Sequence, residues 1–302
     1  MIWEAARGTY RAMGLFALPT AGLLVRLFII QHDCGHGSFF PSRRANDLLG
    51  LFLSLLTFTP YGFWAQAHNK HHASSGHLNR RGIGSIDTLT TKEYREMSPM
   101  RRFLYRLYRN PFILLVFGTP FYVIVAQRFP PAQRSVFVSG YQPLPAGRGM
   151  RSIMGLDVAI VLFYGSLGVT VGWLPLLIVY LPVLMLASGI GGWLFFVQHQ
   201  FEKTYWEADD KWNFHEAAVM GSSYYALPSI LHWFTGNIGL HHIHHLCCTI
   251  PNYRLQECLK GNEILQSLNR MTIADSLKCV RWALWDETAK KMIGFKDLKA
   301  VS

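Results

Sequence analysis

Eight of the thirteen histidines in this 302-residue chain fall into three tight boxes. His32 and His36 form H-x-x-x-H. His68, His71 and His72 form H-x-x-H-H, and His241, His244 and His245 repeat that pattern. Residues three or four apart on a helix share one face, so each box aims its imidazoles at a common point. Neutral imidazole is the commonest protein metal ligand and suits iron, zinc, copper or nickel. A lone histidine is ordinarily a satisfied polar residue. Three boxes in one chain predict metal, and eight imidazoles are too many for one ion, so two ions are expected. His242 follows His241 directly, about 100° round a helix, and should point away from the others.

Composition places these ligands at a membrane. Half the residues are apolar, 14% are aromatic and only 16% are charged, against about 25% charged in an ordinary soluble domain. The charges are uneven: long stretches carry almost none, with Arg and Lys crowded between them. The net charge of +11 therefore reads as basic loops facing anionic lipid, not as a nucleic-acid surface. The five cysteines have no framework spacing and suit a reduced, cytosol-facing compartment.

Four stretches have the composition to enter lipid: 13–31, 48–64, 111–127 and 156–197. A crossing helix needs about 20 apolar residues. Only the last stretch is long enough for two, with a tight turn expected at Trp173-Leu174-Pro175. Arg26, inside the first, is near enough to its end to snorkel. All boxes must reach the same metals, so all lie on one side. Stretch 48–64 separates the first two boxes and is therefore interfacial or re-entrant. An even number of crossings must separate the second and third boxes, so 111–127 is interfacial too, with arginines on both flanks. The crossings expected are 13–31, 156–173 and 175–197, with 226–240 a further interfacial segment. The tail, 257–302, reads as amphipathic cytosolic helix. The short segment before the first crossing suggests a missing upstream helix. Overall the chain reads as one all-α integral membrane domain, 1–302, with interfacial helices and a histidine-rich cytosolic cap.

The boxes and their surroundings resemble the membrane fatty acid desaturase and hydroxylase superfamily, closest to bacterial acyl-lipid desaturases of the Δ12 (omega-6) type. The matching runs begin at His32-Asp33-Cys34-Gly35-His36, His68-Asn69-Lys70-His71-His72, Gln198-His199-Gln200 and Gly236-Asn237-Ile238-Gly239-Leu240-His241. The resemblance covers about residues 15–258. It implies two irons in the cap, O2 as co-substrate, and a cis double bond introduced into a lipid-linked acyl chain. It implies an electron donor such as ferredoxin, since no cytochrome b5-like domain is fused, and a bacterial inner membrane with the site facing the cytosol. It also adds His199 as a ninth ligand. Asp33, Asn69, Glu202, His232 and Asn237 are candidates to orient the ligands, and no catalytic residue beyond the ligands is expected. Phe39, Phe40, Trp64, Trp193 and Phe196 are candidates to line an acyl tunnel.

Two other readings share features of this sequence. A fatty acyl or carotenoid hydroxylase or ketolase would keep the fold and change the outcome. A histidine-lined metal transporter would need ligands near the bilayer midplane, whereas these boxes lie at or beyond the ends of apolar segments. The parity argument is open to direct test. Single cysteines near Arg134 and near Trp173, in a background without the native five, are labelled on intact cells with an impermeant thiol reagent. Labelling is expected only near Trp173; labelling near Arg134 would mean that 111–127 crosses.

Overall fold

The computed structural model describes residues 1–82, 84–129, 135, 137–138 and 146–299. Arg134 and residues 300–302 of the tail, which entered the expectations above, lie outside them, as does the side chain of Arg148. After a short α1 (Ile2–Ala6), α2 runs from Arg11 to His36 and stops where Gly37 takes a left-handed conformation, φ +73°. It is followed by α3 (Arg43–Thr57), α4 (Tyr61–Ser74), α5 (Thr91–Glu96) and α6 (Pro99–Tyr108). A π-helical stretch, Ile113–Gly118, leads into α7 (Thr119–Ile124). The long helices α8 (Ala146–Val171) and α9 (Trp173–His199) precede α10 (Phe214–Met220), α11 (Ser229–Phe234) and α12 (His241–Leu246).

Among the described residues, three helices are long and apolar enough to cross a membrane: Met13–His36, Gly149–Val171 and Trp173–His199. The fold is that of a mainly helical membrane protein, and its core is the contact of α2 with α9. Ala21, Leu24, Val25 and Ile29 are buried against the same cluster as Leu184, Ala187, Leu194 and Val197. Because His36 ends one helix and His199 the other, this packing brings two sets of imidazoles to the same end.

Several elements depart from the sequence expectation. The 48–64 stretch is not one helix. It belongs to α3 and α4, which meet at 101°. Pro60 has no N–H and biases its predecessor to extended backbone, and Phe58 closes α3 at φ +57°. Stretch 111–127 is likewise a π-helix, α7 and a 3-10 turn, bent 71° from α6. The break between α8 and α9 falls at Gly172, φ +93°, not at Trp173-Leu174-Pro175. Glycine alone takes that angle without strain, and Pro175 sits comfortably in the first turn that follows. Within 226–240 only α11 is helical, because Gly236 and Asn237 both have positive φ. Among its described residues the tail contains no long amphipathic helix. Its strands β4 (Leu284–Asp286) and β5 (Lys291–Ile293) pair antiparallel, and β4 pairs parallel with β1 (Leu89–Thr90). The strand pairs β2 (Tyr224–Tyr225) and β3 (Arg270–Met271) tie the tail to the segment before the third box. Arg26, for its part, bonds to the Trp233 carbonyl and lies over that ring at 4.4 Å, an arrangement compatible with snorkelling.

One close approach fixes the α3–α4 corner. A Cβ at Gly50 would stand 2.3 Å from the Tyr61 ring. That ring cannot yield, because its hydroxyl donates to the Cys34 carbonyl at 2.7 Å and is held 2.8 Å from Asp47 Oδ1. Overpacking of this kind costs about 1–3 kcal/mol. Gly50→Ala is therefore expected to lower the melting temperature of the detergent-purified protein. Gly165→Ala, where a Cβ meets nothing within 4 Å, should leave it unchanged or raise it.

Candidate metal centre

Each box rides on a helix whose local sequence explains its direction. His32 and His36 occupy the last turns of α2, four apart, so both rings leave the same side. His68, His71 and His72 lie near the end of α4. His241, His244 and His245 occupy the single turn α12. His199 is the last residue of α9. All but His36 are buried.

The rings sort into two groups. One ligand atom from each of His32, His36, His68, His72 and His244 lies within 4.8 Å of all the others. His71, His199 and His245 form a second group under the same limit. His241 joins it, with Nε2 3.0 Å from His199 Nε2. The groups share a wall: His72 and His245 stack with centroids 4.1 Å apart. His242 turns out of the cluster, as the helical phase predicts; its Nε2 meets the Leu265 carbonyl at 2.9 Å and its ring stacks on Tyr224.

The donor set fits metal ions. Nitrogens approach nitrogens: His68 Nε2 to His72 Nε2 is 3.1 Å, His72 Nε2 to His244 Nε2 is 3.1 Å, and His71 Nε2 to His199 Nε2 is 3.2 Å. Two nitrogens at such separations, each about 2.0–2.1 Å from one ion, subtend roughly 90–105° there. Ring nitrogens of His32, His36, His241, His244 and His245 are buried with no hydrogen-bond partner. Burial first, and then repulsion between neighbouring imidazoles, pushes His68, His72, His241, His244 and His245 well below the usual histidine range. They are thereby held in the neutral form that a metal requires.

The candidates for orienting the ligands divide. Asp33 lies beside a box histidine: its Oδ1 is 3.0 Å from His32 Nδ1. Its Oδ2 accepts from the backbone N and side-chain Nδ2 of Asn252, at 2.6 and 2.8 Å. Carboxylate–histidine pairs of this kind fix the tautomer and present Nε2 to the metal. Asn69 lies against His36. Asn237 touches no ligand; its amide donates to the Asn252 carbonyl at 3.0 Å, one step behind Asp33. Glu202 is not at the centre. Its half-exposed carboxylate faces Lys291, 4.0 Å away, because it lies beyond the end of α9 where the chain has turned outward. His232 is not there either. It sits on α11, and its Nε2 accepts from the backbone of Leu227 at 3.3 Å.

Sequence reading missed two partners. Asn252 is 219 residues from Asp33, and the Gly221 carbonyl faces His199 Nδ1 at 3.2 Å. Both are long-range contacts with no local motif. Beside the centre lies a cavity of about 590 Å3, bounded by α2, α4, the 113–127 segment and α9. That volume is within the usual range of ligand sites. His32, His68 and His241 form part of its wall, with Phe28, Trp64 and Phe195. Of the proposed tunnel aromatics only Trp64 lines it, stacked on His68 at 4.5 Å. Phe39, Phe40, Trp193 and Phe196 do not, since their helix phase or loop position turns them elsewhere.

The family model described as fatty acid desaturase matches residues 11–263. A protein of Bacillus subtilis named fatty acid desaturase is 40% identical over 283 residues, 93% of this chain and 77% of its own length. An omega-3 fatty acid desaturase of the endoplasmic reticulum of Vigna radiata is 30% identical, over 78% of this chain. An sn-1 acyl-lipid omega-3 desaturase (ferredoxin) of Synechocystis is 29% identical, over 82% of this chain. The chain spans 60% and 66% of the length of these last two relatives. With the apolar helices α2 and α9 ending among the gathered imidazoles, and with the match running through every box, the chain belongs to the membrane fatty acid desaturase family.

Proposed function

We propose that this protein desaturates a fatty acyl chain carried on a membrane lipid, using two irons, O2 and electrons from a ferredoxin-like donor. One observation carries the reading: histidines of two gathered groups form part of the wall of a mainly apolar cavity. The nine ligands are His32, His36, His68, His71, His72, His199, His241, His244 and His245. The double bond is cis and of the Δ12 (omega-6) kind, on the resemblance of the boxes. The relatives' names support a lipid substrate: the Synechocystis protein is named as acyl-lipid and ferredoxin-dependent. The cytosolic face of a bacterial inner membrane, reached by three crossings, suits such a donor.

When bound, the irons supply O2 activation and the removal of one hydrogen from each of two adjacent methylenes. The balance is one O2, two hydrogens from the chain, and two electrons with two protons from outside, giving one double bond and two waters. The rest is the work of the chain's own residues. Asp33, held by Asn252, keeps His32 in one tautomer. The Gly221 carbonyl does the same for His199 through Nδ1. The apolar wall excludes water and holds one carbon pair near the imidazoles, where positioning lowers the barrier.

Purified full-length protein should contain close to two irons per chain, by plasma emission spectroscopy. A single ion, or zinc in an active preparation, would remove the di-iron reading. Replacing any one of the nine ligands by Ala should take turnover to background while the protein still inserts in the membrane. His242→Ala should retain most activity. Asn252→Ala should lower iron affinity or activity by roughly 10–100-fold, the usual effect of losing a ligand's supporting partner, whereas Glu202→Ala should not. Gas chromatography of lipids from an expressing host without polyunsaturated acids identifies the product. A hydroxylated product with no new double bond would favour the hydroxylase alternative.

A further inference from the structure

The acyl cavity has a second polar feature, away from the histidines. Gln127 sits in the 3-10 turn Ala126–Arg128, is 3% exposed and lines the cavity. Its amide oxygen is buried and has no hydrogen-bond partner. Most other polar side chains of the described wall, box histidines and the Trp64 indole aside, are bonded. Thr57 donates to Gln31 and Thr59 to the Thr57 carbonyl. Thr119 and Ser188 donate to their own helices, Gln198 to the Ile238 carbonyl and Ser135 to Asp87. A buried amide without a partner is costly unless a ligand completes it. The oxygen and nitrogen of the amide are interchangeable by rotation, so it can offer the cavity an N–H donor.

The surroundings say where in the membrane this amide lies. The adjacent Arg128 is engaged elsewhere: Nη1 donates to Asp157 Oδ1 at 2.9 Å and Nη2 to the Phe58 carbonyl. Charged groups stay near the membrane surface, so the ion pair marks the interfacial depth, where the ester groups of glycerolipids lie. A saturated or monounsaturated acyl chain brings one hydrogen-bonding group to an apolar cavity, its carbonyl oxygen.

We propose that the Gln127 amide binds the carbonyl of the acyl ester, so that the double bond is placed by counting carbons from the carboxyl end. This rests on the desaturase reading above. The chain is held at two points, the amide and the metal centre, and the path between them fixes which methylenes react. The methyl end then occupies whatever cavity remains.

The test uses the purified, iron-loaded full chain in nanodiscs, with glycerolipids bearing C16 or C18 acyl chains. Double-bond position is read by mass spectrometry of the product esters. Wild type should place the bond at the same carbon from the carboxyl group in both lengths. A bond at a constant distance from the methyl end would overturn the proposal while leaving desaturation intact; no double bond at all would strike the desaturase reading instead. Gln127→Met keeps the length of the side chain and removes both polar atoms. It should raise KM more than it lowers kcat, with a roughly five- to tenfold loss in kcat/KM for one hydrogen bond, and should mix positional isomers. A binding readout is independent of turnover. The infrared stretch of a carbonyl-13C-labelled lipid ester should shift on binding to wild type and not to Gln127→Met. The matching acyl-CoA thioester serves as the comparison, and a shift only with the ester assigns the lipid as source. A shift only with the thioester, or identical spectra and isomers in both proteins, would overturn the assignment.

Discussion

Nine imidazoles are packed ring against ring, and the rest of the molecule is arranged to hold them together. Four nitrogen–nitrogen approaches of 3.0–3.2 Å give no hydrogen bond unless one ring of each pair happens to donate. Protonation is opposed by burial and by every neighbour. Such a cluster is destabilising as a bare arrangement, and a metal ion at each focus would turn the mutual repulsion into shared coordination. Folding of the cap and filling of the centre should therefore be coupled.

The helices serve this constraint. The contact of α2 with α9 delivers His32, His36 and His199 to one level. The sharp turn at Phe58–Pro60 sends α4 back so that the second box meets the first. The small α12 is clamped by its own cluster, Leu240, Ile243, Leu255, Leu259 and Leu265. The tail strands then lock the cap from the far side, pairing with segments next to the second and third boxes.

Much of this was legible because imidazole spacing and helical phase are local properties. The phase alone separated His242 from His241, and the box spacing picked out eight of the nine gathered histidines, but not how the second and third boxes divide between the two groups. The Asp33–His32 pair was within reach for the same reason, since the two are adjacent. Contacts made across the fold were not legible. Asn252 and Gly221 come from segments with no motif. Glu202 looked like a ligand's neighbour by sequence and is turned out by the end of α9. The 257–302 stretch carried mixed charge that suits a helix, yet pairing with β1, contributed from nearly 200 residues away, made strands of part of it. Gln127 was passed over for a similar reason: an amide in an apolar stretch has no meaning until the cavity it faces is known.

The central claim is that the imidazoles hold two ions, divided as the geometry divides them. Crystals or lipidic-phase microcrystals of the iron-loaded protein, measured on both sides of the iron absorption edge, give the positions directly by anomalous difference. Two peaks are expected. One lies among His32, His36, His68, His72 and His244, and the other among His71, His199, His241 and His245. A single peak, or a peak bound by Glu202 or any cysteine, would contradict the account.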